Sequence, residues 1–128
     1  MVLYIMSGNI RTDAFAEAGR SGAPIISALS QYHAGNGEYP EKLSALVPDY
    51  LPEIPWTGLI GYPEFYYFKA NREYKNVKDY PADYELGIHC GVALINFDTF
   101  FYWPSEKYPD RGRGGSIERI DNWAYVHE

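Results

Sequence analysis

Residues 12–34 read TDAFAEAGRSGAPIISALSQYHA, and the spacing of their apolar positions predicts the first part of the fold. Apolar side chains and a glycine recur at alternating three- and four-residue intervals, at Phe15, Ala18, Gly22, Ile25, Leu29 and Tyr32. This spacing is typical of an amphipathic helix with one long buried face. Thr12 or Asp13 is suited to cap its start, and Gly35 and Gly37 to end it with a positive φ.

A proline interrupts this helix in its middle. Pro24 removes one backbone hydrogen bond and crowds the preceding turn. The sequence therefore predicts either a kink near residues 19–22 or two helices, with Ser21 capping the second.

A short second helix is predicted after Tyr39. Pro40 suits the first position of a helix, an apolar face follows at Leu43, Leu46 and Val47, and Pro48 stops it after about two turns. Prolines and glycines then space out residues 52–63 without a helical or strand period, which predicts an ordered proline-rich loop pinned by Leu51, Ile54 and Trp56.

Beyond this loop the chain changes to short aromatic and β-branched runs bounded by turn residues. Strands are predicted at residues 65–70, 84–90, 97–103 and 120–127. In the second of them apolar and polar residues alternate, which indicates one buried and one solvated face. One helix followed by strands predicts the α+β class, with the N-terminal amphipathic helix packed on a small antiparallel sheet.

Length and composition limit the alternatives. A chain of 128 residues with 46% hydrophobic content is expected to form one domain spanning residues 1–128. A net charge of −6 argues against a nucleic-acid partner, because phosphate binding needs clustered Lys and Arg. The basic cluster of Arg111, Arg113 and Arg119 flanks a glycine run and is interpreted as a solvated turn.

Catalytic chemistry is not expected. Cys90 is the single cysteine, which excludes an intramolecular disulfide and a zinc site built from paired thiolates. His33, His89 and His127 lie on separate predicted elements, and neither a serine elbow nor a phosphate-binding glycine loop is visible. The sequence therefore favours a non-enzymatic protein.

Oxygen ligands are concentrated near the C-terminus. Asp110, Ser116, Glu118 and Asp121 lie around a glycine-rich connection, where flexible carboxylates and hydroxyls suit calcium. The same segment contains three arginines, so a solvated, salt-bridged turn is the competing interpretation. Calcium is the one cofactor that the sequence suggests.

Aromatic side chains make up 17% of the chain, which is high. Tyr and Trp are enriched at interfaces because each joins a large apolar surface to a polar tip. Trp56, Tyr102, Trp103 and Trp123 are the interface candidates, with a core anchor as the competing role of Trp56. The interface argument fails if Tyr66, Tyr102, Trp103 and Tyr125 are buried against the helix.

The first ten residues have their own interpretation. Val2 to Met6 is apolar but far shorter than the roughly 20 residues that cross a bilayer. Residues 1–10 are expected to be either the stub of a membrane anchor or a flexible arm.

Several of these features coincide with a known pattern. The relevant positions are Ile26, Ala28, Leu29, Tyr32, Asn36, Gly37, Tyr39, Pro40, Leu43, Leu46, Val47, Leu51, Pro52, Pro55 and Trp56. They resemble the helix end, the "Y..NG.YP" turn and the proline-rich loop of the pseudopilins of type II secretion, most closely the G-type major pseudopilin. Shorter matches follow at Tyr66 and Tyr67, at residues 84–86, at Gly114 and Gly115, and at residues 121–123.

This resemblance implies a pilin-like fold and a structural role. Pseudopilins are membrane-tethered, face the periplasm, pack their helices into a filament and bind calcium in a loop of the head domain. The expected partners are further copies of the chain or components of a secretion system, and the expected location is periplasmic, with an anchor in the inner membrane. A stand-alone periplasmic binding or inhibitor module with an aromatic surface is the alternative.

Overall fold

The computed structural model describes residues 13–71, 73, 80–90, 98–112 and 115–127. Residues 13–21 form helix α1 and Ala23–Asn36 form helix α2. The strands are β1 (Tyr66–Lys69), β2 (Tyr84–His89), β3 (Thr99–Tyr102), β4 (Arg111–Gly112), β5 (Gly115–Ile120) and β6 (Trp123–His127).

The two helices are separated at Gly22, one of the two arrangements that the sequence predicts. Ser21 does not cap α2, because its hydroxyl donates to the carbonyl of Glu17 in the last turn of α1 at 3.1 Å. Gly22 occupies the N-cap without a side-chain hydrogen bond. At the other end, Gly37 has the predicted positive φ, 79°, and its N–H donates to the carbonyl of His33.

The short second helix is smaller than predicted. Only a single 3₁₀ turn forms, at Leu43–Leu46. Val47 is extended, with φ −103° and ψ 134°, because the ring of Pro48 disfavours a helical conformation in the residue before it. Leu46 is fully buried and fixes this turn to the core.

All six strands belong to one antiparallel sheet with the order β1-β2-β3-β6-β5-β4. The α+β class with an antiparallel sheet is confirmed, and the four predicted strands correspond to β1, β2, β3 and β6. The prediction for residues 120–127 is wrong at its start, because Ile120 ends β5 and a two-residue turn at 121–122 leads into β6.

The sequence analysis missed β4 and β5. Glycine and charged residues made this region resemble a loop, and β5 is largely exposed. It is held as a strand by pairing with β6 from Ser116 opposite His127 to Ile120 opposite Trp123. A partner strand thus decides the structure of a segment with weak intrinsic strand preference.

One face of the sheet packs against the helical residues. Phe15 of α1 lies 5.1 Å, between ring centroids, from both Phe100 of β3 and Tyr125 of β6. Apolar residues of both helices and of four strands form one continuous buried cluster. The closest approach is at Gly19 and Gly22, where an added Cβ would lie 3.1 Å and 2.9 Å from the Trp123 indole.

The opposite face of the sheet is also covered. Phe101, Trp103, Ala124 and Val126 are buried there, with Tyr108 packed over them. The Tyr108 hydroxyl accepts from the Trp103 N–H at 3.0 Å and donates to the carbonyl of Asn122 at 2.6 Å. The predicted solvated face of β2 is therefore wrong, because five of its six residues, including Glu85, are buried.

Gly22 and Gly35 provide a matched test of the contact between helix and sheet. We expect Gly22→Ala to lower the free energy of unfolding by about 1–3 kcal/mol, because the new methyl group overlaps Trp123. Gly35→Ala should raise it by about 0.5–1 kcal/mol, since a Cβ there meets only the Tyr50 hydroxyl, at 3.6 Å. Urea unfolding followed by circular dichroism measures both, and equal stabilisation would contradict the close approach.

Candidate functional site

Three of the four interface candidates are core residues. Tyr102, Trp103 and Trp123 are 6%, 5% and 1% exposed, so their predicted role in an interface is wrong. They lie on or beside central strands of a sheet that is covered on both faces, which the strand pattern could not reveal. Tyr125 is also buried, and Tyr66 is half-buried.

Trp56 is different, because 56% of its surface is exposed. It therefore does not pin the proline-rich loop as predicted. Ile60, four residues further on, is 90% exposed. These two are the exposed large hydrophobic residues in the described part of the chain.

A buried threonine holds the loop that presents Trp56. The Thr57 hydroxyl donates to the carbonyl of Tyr62 at 2.6 Å and accepts from the N–H of Leu59 at 3.0 Å. The Thr57 N–H donates to the carbonyl of Pro63 at 3.1 Å, which closes the loop at its base. Sequence reasoning missed Thr57, although a threonine between turn residues is a known local organiser of backbone.

A groove of about 490 Å³ lies beside Trp56, and we call it the Trp56 groove. It is lined by Leu43, Ile54, Pro55, Trp56, Pro63, Glu64 and Phe65. The lining is apolar and aromatic with a single carboxyl group, a composition that suits a hydrophobic or aromatic-binding surface. Among the described residues that line it, none is a histidine, cysteine or serine of the kind that nucleophilic catalysis uses.

Glu85 is the most deeply buried acidic residue that the structure describes, at 2% exposure. Its carboxyl oxygens accept from the Tyr66 hydroxyl at 2.5 Å and from the Trp103 indole N–H at 2.8 Å. Tyr66 lies over Gly87, where a Cβ would come within 2.5 Å of the ring, and stacks on His89 at 4.2 Å. A buried polar group that is satisfied in this way orders the outer face of the sheet.

A cluster of tyrosines, in which Tyr84 is buried and Tyr39 and Tyr67 are half-buried, lies at the other side of the sheet. Tyr84 packs against Tyr39 at 4.9 Å and Tyr67 at 5.6 Å between ring centroids. Burial raises the pKa of the Tyr84 and Tyr67 hydroxyls well above the usual range, and burial also raises the pKa of Tyr39. These hydroxyls therefore stay protonated at alkaline pH where an exposed tyrosine ionises, and Tyr67 donates to the carbonyl of Pro40 at 2.6 Å.

The calcium candidates lie along a hairpin and not in a loop. Ser116 and Glu118 are on β5, Asp110 directly precedes β4, and Asp121 is in the turn before β6. Glu118 contacts His127 at 2.9 Å, and Asp121 is 3.7 Å from a guanidinium nitrogen of Arg20. Among the residues that the structure describes, no group of three His, Cys, Asp or Glu side chains could hold a metal ion. We therefore assign no calcium site.

The remaining predicted features have ordinary contacts. Arg111 begins β4, and Arg119 on β5 binds Glu106 at 3.1 Å, whereas Arg113 lies outside the described residues. His33 stacks on Tyr39 at 4.4 Å. Cys90 is a buried free thiol 3.4 Å from the carbonyl of Ile88.

Comparison of the chain with known proteins found no matching family model, no matching curated protein and no matching solved structure. The pseudopilin resemblance thus stays a prediction from the residues that carry it. Within the described residues, no helix is both long enough and apolar enough to cross a membrane.

The contrast between Trp56 and Trp123 is directly measurable. Trp56→Ala should change the free energy of unfolding by less than about 1 kcal/mol, as expected for an exposed position. Trp123→Ala should lower it by about 3–5 kcal/mol, because it empties the space between helix and sheet. Trp56→Ala should also remove most of the acrylamide-accessible fluorescence; if that quenching is retained, Trp56 is not the exposed indole.

The buried tyrosines predict a loss of stability in alkali. Above the ordinary pKa of about 10 the unfolded chain releases tyrosine protons that the folded chain retains. The folded state then binds more protons, so the full stability is present below pH 10 and is lost above it, by up to about 1.4 kcal/mol per pH unit for the buried Tyr84. Tyr84→Phe should make this fall shallower in urea unfolding measured across the alkaline range; an unchanged slope would contradict burial of the hydroxyl.

Proposed function

We propose that this chain is a non-enzymatic, extracytoplasmic assembly protein whose folded part resembles the head domain of a type II secretion pseudopilin. The order of its elements supports this proposal. A helical segment comes first, the loop around Trp56 follows, and an antiparallel sheet against the helical residues completes the domain. The pilin-like description of this arrangement is part of the proposal.

The outer surface of α2 is the observation that carries the proposal. Ala23–Asn36 contains no Asp, Glu, Lys or Arg, and His33 is its one titratable side chain apart from Tyr32. Its exposed positions include Ala23, Ser27 and Ser30. A solvated surface is normally about 25–35% charged, whereas the centres of protein interfaces are depleted of charge. Small side chains also let a second helix come close.

The proposal includes a location and partners. We propose that the domain faces the periplasm, attached to the inner membrane through an N-terminal anchor, and that it assembles with further copies of itself or with secretion components. The support is the residue pattern of 26–56 together with the uncharged helix surface. No catalytic role is included, since the buried titratable groups described above have partners within the fold.

Cysteine cross-linking tests this assembly in the natural host. Cys90 is buried, so a cysteine introduced at an exposed position is the accessible thiol. We expect Ser30→Cys on α2 to give a cross-linked dimer when intact cells are treated with a membrane-permeant bismaleimide, because one accessible thiol per copy can join only two copies. Ser105→Cys, exposed in the turn after β3, is the matched control and should give none. Monomer alone from Ser30→Cys, or equal amounts of dimer from both variants, would refute assembly through α2.

A stand-alone periplasmic binding or inhibitor module is the second candidate function. Exposure of Trp56 and Ile60 on an ordered loop favours it. Burial of Tyr102, Trp103 and Tyr125 removes most of the aromatic surface that first suggested it. In this case the purified domain binds its target as a monomer, and Ser30→Cys gives no cross-linked dimer.

A further inference from the structure

The Trp56 groove combines exposure with a fixed shape. Trp56 and Phe65 enter it from opposite ends of the loop that Thr57 ties together, and Glu64 supplies its one carboxyl group. An exposed aromatic residue on an ordered loop loses little conformational entropy on binding, because its position is already set. Aromatic residues with this environment are enriched among those that dominate binding energy.

The segment that forms the groove is strongly acidic. Residues 38–65 contain five carboxylates, Glu38, Glu41, Asp49, Glu53 and Glu64, against one lysine, so they hold −4 of the net charge of −6. Lys69 approaches Glu38 at 3.5 Å and Glu41 at 3.2 Å. Within the described residues, Asp49, Glu53 and Glu64 form no ion pair, and all three are exposed. Of these three carboxylates, Glu64 lines the Trp56 groove, and no salt bridge among the described residues neutralises it.

We propose that the Trp56 groove docks a basic segment of a partner protein, in which a Lys or Arg side chain is flanked by apolar residues. The cation lies against the Trp56 indole, where the ring quadrupole attracts it, and pairs with Glu64. The flanking apolar residues cover the surfaces of Ile54 and Phe65. This inference rests on the protein-binding function proposed above and specifies the partner of one surface, distinct from the α2 surface that would carry assembly.

Charge complementarity distinguishes this partner from other occupants. An acidic or phosphorylated segment would be repelled by the carboxylates of residues 49–64. A purely apolar segment would use the groove but would gain no electrostatic attraction from Glu64 at its edge. A basic segment uses both the aromatic and the acidic part of the surface.

Selection from a library of short random peptides displayed on phage tests the proposal on the purified chain. We expect enriched peptides to carry Lys or Arg beside an apolar residue. Trp56→Ser should weaken their binding about tenfold or more, as expected for a tryptophan that dominates an interface. Glu64→Gln should weaken it less and reduce its dependence on salt, since exposed charges are screened over about 10 Å at 0.1 M.

Ile60→Ser is the matched control, because it removes an exposed apolar residue of the same loop that does not line the groove. It should leave peptide binding unchanged, and circular dichroism should show that all three variants fold. The proposal would be overturned if no peptide is enriched or if the enriched peptides are acidic. It would also be overturned if the enriched peptides bind Trp56→Ser as tightly as the unmodified chain. Self-association of the purified chain that Trp56→Ser abolishes would also overturn it, since a second copy would then be the occupant.

The two proposals fail separately. A cross-linked dimer from Ser30→Cys without peptide enrichment retains assembly and removes the basic partner. Enrichment of basic peptides without a cross-linked dimer retains the groove and favours the stand-alone binding module.

Discussion

The packing of Trp123 beneath the helical segment is the contact on which the rest of the fold depends. Its indole stacks on Phe100 at 4.8 Å and lies directly under Gly19 and Gly22, so the helix backbone packs on the indole with no helix side chain between them. This approach lets Phe15 reach Phe100 and Tyr125, and it brings the break between α1 and α2 over β6. A glycine pair and one indole thus set the distance between the two layers.

The sheet is buried on both faces. The helices cover one face, and the segment with Tyr108 covers Phe101 and Trp103 on the other. Most of the large aromatic content is used in this way, with Glu85 accepting from the Tyr66 hydroxyl and the Trp103 indole N–H. The high proportion of Tyr and Trp therefore reflects a core built from rings more than a broad binding surface.

Two surfaces remain that the core does not use. The exposed side chains of α2 are mostly small and uncharged, whereas the Trp56 groove is lined by aromatic and apolar residues and one carboxylate, Glu64. Their chemistry differs enough that they suit different partners, a helix of similar character on one side and a basic segment on the other. A domain with two such surfaces suits a protein that links other proteins together.

The sequence by itself determined those elements whose signals are local. The buried stripe from Phe15 to Leu29, the end of α2 at Gly37 and four of the strands follow from periodicity and from residues with special backbone preferences, which act over a few positions. The tertiary structure alone decided that Gly115–Ile120 is a strand, because its pairing with β6 outweighs its weak preference. It also decided that Trp103 and Trp123 are buried while Trp56 is exposed. Burial of a ring depends on which distant segments cover it, and no local pattern contains that information.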